Sequence, residues 1–258
     1  MAKFAANLSM LFTELDFVDR FAAAAKAGFT GVEYLFPYAL TPEQIKQKLD
    51  DNQLTQVLFN LPAGDWEAGE RGIAVDPNRR EEFKAGVAQA ITYAQVLGNS
   101  QINCLAGIVP QGVSTSEAHA TFVENLRYAA QTLKQAGIRL VIEAINTRDI
   151  PGFFLNTTEQ AKSVIQEVGS DNLFIQYDIY HMQIMEGDLA PTMSANIAQI
   201  AHVQLADNPG RHEPGTGEIN YPFVLKHLDE LGYQGWIGCE YKPKTTTLEG
   251  LDWLNLYR

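Results

Sequence analysis

RLVIEAINTRDIPGFFLNTTEQAKSVIQEVGSDNLFIQYD, residues 139–178, is the stretch that decides the fold. At its two ends stand short apolar runs, RLVIE and LFIQYD, each closing on an acid, Glu143 and Asp178. Between them residues 158–168 follow a helical period. Asn156-Thr157-Thr158-Glu159 places capping hydroxyls before an acid at the start of that helix, and Gly169 marks its end. Strand, helix and strand in this order make a parallel βαβ unit.

Outward from this unit the same alternation repeats. Strand-like runs are predicted at 3–7, 31–35, 55–60, 101–105, 140–143, 174–178, 202–205 and 236–240. Helical patterns are predicted at 17–27, 42–51, 79–97, 116–135, 158–168, 190–197 and 221–231, with a last one near 248–254. Thr41-Pro42-Glu43 offers a cap followed by proline at the first helical position, and Gly28, Gly98, Gly137 and Gly232 mark further helix ends. Eight βα units without a second compositional zone imply one closed α/β barrel, a single (β/α)8 TIM-barrel domain over residues 1–258. A doubly wound sheet is disfavoured because no GxGxxG follows the first strand. A two-domain split is disfavoured because no Pro/Gly-rich linker appears.

Four strand ends in the second half carry oxygen donors: Glu143, Asp178, Gln204 in AHVQ and Glu240 in WIGCE. Their spacings of 35, 26 and 36 residues are each about one strand–helix unit. At the carboxyl ends of successive barrel strands they converge on one point. Three carboxylates and an amide oxygen form a hard shell suited to Mg²⁺ or Mn²⁺, and a bound cation removes the repulsion among the acids. An isolated strand-end acid is usually an exposed or salt-bridged one; four in register are harder to explain that way. Because strand side chains alternate, Val141, Gln176, His202 and Gly238 are expected to share the inner face with these four.

Other candidates are less determined. His181, in YDIYHMQ just past a strand end, reads as a substrate hydrogen-bond donor or metal neighbour, or else as a packed loop histidine. His202, one layer below Gln204, reads as a core or supporting residue. Arg211, His212, Arg71 and Lys242 are the candidate cations for a substrate carboxylate, and the sequence does not choose among them; each is equally readable as a solvated surface charge. Two long loops, 60–78 and 206–220, follow strands and should overhang the catalytic face. Trp66, in the first of them, is either a lid residue or a packing anchor.

Composition bounds the partners. Of 258 residues, 46% are hydrophobic and 19% charged, enough for a full core. With 19 Lys and Arg against 31 Asp and Glu, the formal charge of −12 argues against nucleic acid as a partner. No apolar run is long enough to span a membrane, and the start MAKFAANLSM lacks a signal-peptide core. Cys104 and Cys239 fall inside apolar strands and read as buried thiols, so a reducing cytoplasm is the expected compartment.

The runs ANLSMLFTE (6–14), NLPAGDWEAGERGIA (60–74), INTRDIPGF (145–153), QYDIYHMQ (176–183), ADNPGRHEPGTGEINY (206–221) and GWIGCEYKP (235–243) resemble the bacterial hydroxypyruvate isomerases. These sit in a wider xylose isomerase-like barrel superfamily that includes ketose 3-epimerases and endonuclease IV. The resemblance spans nearly the whole chain. It implies a (β/α)8 barrel, interconversion of hydroxypyruvate with tartronate semialdehyde, a place in glyoxylate metabolism, and Glu143 and Glu240 as the two acid/base glutamates. Sugar-epimerase relatives have a histidine where this chain has Gln204. The phosphodiester hydrolases of the superfamily hold three zincs with several extra histidines, and five histidines with glutamine at Gln204 support that branch poorly.

The expected reaction is a metal-assisted proton transfer through an enediolate, with a hydride shift as the alternative route; neither needs a nucleotide. The substrate is a small hydroxy or keto acid, and association into a homo-oligomer is left open. Competing readings are an isomerase or 3-epimerase acting on a 2-oxotetronate or a sugar, a metal-dependent hydrolase, and a barrel that binds without catalysis.

Overall fold

The computed structural model describes residues 3–257. Each predicted βα unit forms. The strands are β1 (Lys3–Asn7), β2 (Gly31–Glu33), β3 (Thr55–Asn60), β4 (Gln101–Cys104), β5 (Arg139–Glu143), β6 (Leu173–Asp178), β7 (Ile200–Leu205) and β8 (Trp236–Cys239). They close in chain order into one barrel among the described residues, every neighbouring pair parallel, with Lys3 to Ala6 of β1 registered on Trp236 to Cys239 of β8. The helices are α1 (Phe17–Lys26), α2 (Pro42–Asp51), α3 (Arg80–Leu97), α4 (Thr115–Gln135), α5 (Thr158–Val168), α6 (Ile179–Met185), α7 (Leu189–Asn196) and α8 (Tyr221–Glu230).

Local chemistry explains the boundaries. Thr41 caps α2 through the amide of Gln44, whose side chain returns a bond to the Thr41 backbone, and Pro42 follows in the first turn. Thr157 caps α5 through the amide of Gln160, and Gly169 ends it in the left-handed region at φ 67°. Three expectations shift. β2 stops at Glu33 and β8 at Cys239, so Glu240 lies one residue past its strand, although its N–H still reaches the carbonyl of Leu205 at 3.1 Å. The last expected helix is a 3₁₀ segment, Glu249–Leu256. The helix α6 was not expected; it starts directly on the last residue of β6 without a linker.

Two apolar regions result from the strand alternation. The larger lies between sheet and helices, where Val32, Phe59, Ile102, Ile142 and Val203 meet Phe21, Val87, Leu126 and Leu225. The smaller contains Ala5, Val57, Leu58, Val141 and Ala201, with Phe174 and Trp236 packed on it. Ala5, Val141, Phe174 and Trp236 share parity with Asn7, Glu143, Gln176 and Gly238, so this cluster plugs the barrel interior below a polar layer. Cys104 and Cys239 are buried and form no disulfide. No helix among the described residues is long and apolar enough to cross a membrane.

Candidate active site

The polar layer above that plug is organised around Glu33, a fully buried carboxylate at the end of β2. It accepts from Asn7 Nδ2 at 3.0 Å and Gln204 Nε2 at 2.7 Å, and meets His202 Nε2 at 2.7 Å. His202 Nδ1 in turn faces Gln101 of β4 at 3.2 Å. Gly238 of β8 must be glycine here, since a Cβ would strike the Glu33 carboxylate. Sequence reading overlooked Glu33, Asn7, Asn60 and Asn103, because it weighed strand ends only in the second half of the chain. Glu33 lies inside the expected 31–35 run and becomes a strand end only because β2 stops there, whereas Asn7 and Asn60 close the runs 3–7 and 55–60.

Above this floor, ligand atoms of Glu143, Asp178, His181 and Glu240 all lie within 4.8 Å of one another, and all four residues are buried. The Glu143 carboxylate accepts from Asn103 Nδ2 at 3.2 Å, and Asn103 also donates to Asn60 at 3.1 Å. Glu240 accepts from Asn7 Nδ2 at 3.2 Å and from Arg211 Nη2 at 2.8 Å. Asp178 has two roles. Its Oδ1 caps α6 by accepting the N–H groups of Tyr180 (2.7 Å) and His181 (3.3 Å), while its buried Oδ2 has no hydrogen-bond partner. The cap explains how His181, three residues on, comes back beside Asp178.

Burial pushes Glu143 well above the ordinary carboxylate range, reinforced by the charges of Glu240 and Asp178. Burial raises Glu240 to about 8 although Arg211 opposes the shift. Asp178 is raised for the same first reason, with Arg211 and the two cap bonds opposing. Burial holds the His181 imidazole well below its usual value, and Arg211 adds to this, so the ring is neutral. Burial disfavours the Arg211 cation, but Glu240, Asp178, Asp149 and Glu143 outweigh it and raise its pKa.

Arg211 comes from the 206–220 loop, held by Asp207. The Asp207 carboxylate accepts four backbone N–H groups, from Asn208, Gly215, Gly217 and Ile219, at 2.9–3.0 Å. Arg211 itself adopts φ 53° and lies 5.1 Å above the Tyr180 ring, with Nη1 3.3 Å from Asp149. Its Nε is buried without a partner.

The cavity over this cluster has a volume of about 70 Å³. Glu143, His181, Gln204, Arg211 and Glu240 line it, with Trp66, Met10, Leu105 and Ile150 as an apolar wall. Trp66 sits edge-on to Phe36 at 5.1 Å, under the Arg71 guanidinium at 4.2 Å. Gln204 reaches the cavity with its Oε1 accepting from Gln176 at 2.6 Å. Only Arg211 of the four candidate cations lines the cavity; Arg71, Lys242 and His212 lie elsewhere. Arg71 donates to the carbonyls of Trp66 and Glu70, bracing its own loop. The Lys242 side chain is exposed, and it is the Lys242 backbone that contributes, bonding the Arg211 carbonyl at 2.8 Å and the ring of His212 at 2.7 Å.

These residues fit a hard divalent cation. The orphaned Asp178 oxygen and the carboxylates of Glu143 and Glu240, all within 4.8 Å of one another, are donors of the right type, and Gln204 lines the same cavity with its amide oxygen held by Gln176. Ionised together, Glu143, Asp178 and Glu240 would face Arg211 with an excess of negative charge that a cation would balance.

A model of the xylose isomerase-like TIM barrel family matches residues 21–257. The chain belongs to that family. It is 58% identical over 258 residues, the whole of both chains, to the hydroxypyruvate isomerase of Escherichia coli strain K12. It is 49% identical over 257 residues, covering 100% of this chain and 99% of the relative, to the 2-oxo-tetronate isomerase of Cupriavidus necator. Among solved structures, one titled AP endonuclease, family 2, from Brucella melitensis superposes with a TM-score of 0.97 at 44% identity over the full length of both chains. Full-length identity to two named isomerases places the chain among isomerase homologues.

Proposed function

We propose that this protein is a hydroxypyruvate isomerase, a single-domain barrel that interconverts hydroxypyruvate and tartronate semialdehyde. The observation that carries the reading is the pair of buried glutamates, Glu143 and Glu240, facing one small cavity that also holds an arginine. A cavity of about 70 Å³ is in keeping with a small acid as substrate. The identity to the Escherichia coli enzyme supports the same substrate.

In this reading Arg211 binds the substrate carboxylate through its unpartnered Nε–H, alongside its bond to Glu240. One glutamate removes a proton from C3 of hydroxypyruvate, the electrons forming the C2–C3 double bond of an enediolate. A proton then returns to C2, from the same carboxylate or from the other, while the oxygens on C2 and C3 exchange hydroxyl and carbonyl character. In the metal-free site burial raises the Glu240 carboxyl to about 8, within reach of neutral pH. Glu143, Asp178 and Glu240, with the amide oxygen of Gln204, would hold Mg²⁺ or Mn²⁺, which would supply Lewis-acid stabilisation of the charge on the substrate oxygens. Asn103 and Asn7 keep the two glutamates aimed at the cavity, and Trp66 and Ile150 shield it from water.

The test is turnover of hydroxypyruvate, tartronate semialdehyde and 2-oxotetronate, each with and without EDTA. The highest kcat/KM is expected for the three-carbon pair, with activity lost on chelation. A clear preference for 2-oxotetronate would move the protein to the second relative's activity, and no turnover of any of them would overturn the reading.

A further inference from the structure

His181 stands among three carboxylates and, by position, could serve either as a metal ligand or as a hydrogen-bond donor. Its other ring nitrogen decides between them. Nδ1 lies 2.6 Å from Nδ2 of Asn146, and both residues are buried, at 2% and 0% exposure. A neutral imidazole has one N–H and one bare nitrogen, and the partner of one fixes the role of the other. Asn146 has no freedom to adapt. Its Oδ1 accepts the backbone N–H groups of Arg148 at 3.0 Å and Asp149 at 2.8 Å in the turn after β5. A flipped amide would set an NH₂ against those two N–H donors, so the NH₂ must face His181.

We propose that Asn146 is a positioning residue that locks His181 in the tautomer protonated on Nε2, so that the histidine offers the cavity an N–H donor and not a lone pair. The Nε2 atom faces Glu143 Oε1 at 3.8 Å and Asp178 Oδ2 at 3.6 Å, both beyond hydrogen-bonding distance. Its proton therefore has neither carboxylate as an acceptor and is left for a substrate oxygen in the cavity that His181 lines. The same lock keeps the imidazole off a cation held by those carboxylates. The backbone bonds of Asn146 order the 146–149 turn as well, so one amide sets both the ring proton and the place of Asp149, which holds Arg211. The effect on turnover rests on the isomerase reading; the position of the proton does not.

The experiment is ring ¹⁵N NMR on histidine-labelled, Mg²⁺-loaded protein, with His181→Gln assigning the signal. A bare Nδ1 and a protonated Nε2 are expected. In Asn146→Asp the carboxylate keeps the two turn bonds but can only accept from the ring, so the proton should appear on Nδ1. Turnover of hydroxypyruvate should then fall by roughly tenfold or more, the usual loss when a hydrogen bond to a charged substrate oxygen is removed. A purely structural role would lower thermal stability without moving the ring proton. Pulsed EPR of the Mn²⁺-loaded wild type adds a second readout and should show no directly bound imidazole nitrogen. A wild-type Nδ1–H, or imidazole coupling to Mn²⁺, would overturn the proposal. Both wild-type measurements hold even if Asn146→Asp fails to fold. A wild type inactive on all three acids but with the expected ring proton would sink only the isomerase reading.

Discussion

Glu143 and Glu240 share a cavity but not an environment. Glu240 bonds a cation, Arg211, whereas Glu143 has only the neutral amide of Asn103, so Glu240 holds its charge more readily. Glu143→Gln and Glu240→Gln should each cut kcat by about two to four orders of magnitude, the usual contribution of a positioned acid or base. Far-UV circular dichroism should be unchanged, since glutamine keeps the shape. Turnover in D₂O should introduce solvent deuterium if protons, not hydride, move. Full activity of either variant with saturating Mn²⁺ would remove that glutamate from the reaction. Arg211→Lys should raise KM about tenfold or more with a smaller change in kcat, because an ammonium cannot fork between Glu240 and a substrate carboxylate. Strand-end spacing was enough to bring both glutamates and Asp178 to one point, with Gln204 lining the cavity beside them. It was blind to Asn146 and Asp207, whose carbonyl and carboxylate oxygens act on backbone N–H groups of turns, a role that side-chain type alone does not announce.

At the scale of elements, strands and helices were readable because each carries its own period and cap. The exception is α6: seven residues, four of them buried, with no polar face to mark a helical period. Its cap is Asp178, which read as a strand terminus because it is one as well. The 206–220 loop was readable as long and glycine-rich, but not as ordered, since its order comes from a single carboxylate binding four N–H groups. Asp207→Asn keeps the shape while turning one acceptor into a donor, and since each oxygen accepts two of the N–H groups, two of those bonds invert to repulsion. The loss should be about 1–3 kcal/mol and concentrated in the loop. Trypsin should then cleave after Arg211 faster than in the wild type, and kcat/KM should fall while far-UV circular dichroism stays unchanged. Equal cleavage rates would show that the contacts of the Lys242 backbone with Arg211 and His212 suffice to hold the loop.

The whole molecule gathers buried acids at one end of a closed barrel, and its stability should therefore depend on pH and on any divalent cation held there. Composition gave the net charge of −12, but only closure of the barrel shows that four of those acids lie in its interior. The folded pKa of Glu240, about 8, and that of Glu143, also raised, stand above the ordinary 4.5. Between those limits the folded protein holds protons that the unfolded chain releases. Stability of the metal-free protein is therefore fullest at low pH on account of these groups, and it declines as pH rises toward about 8. The depressed pKa of His181 acts in the opposite sense, but its effect is complete by about 6.5, the value in the unfolded chain. From about pH 6.5 to 8.5 only the carboxylates remain, so Tm of the EDTA-treated protein should fall across that window. A divalent cation binds the ionised acids and should reverse the trend. At 100 times its Kd it adds about 2.7 kcal/mol, or roughly 5–10 °C for a chain of this size. The Tm increment on adding Mn²⁺ should therefore grow from pH 6.5 to 8.5, which differential scanning calorimetry at matched ionic strength can follow. An increment of zero across the window would mean that the acids hold protons instead of a metal. An increment independent of pH would mean that the cation binds at carboxylates already ionised at pH 6.5, away from the Glu143 and Glu240 pair.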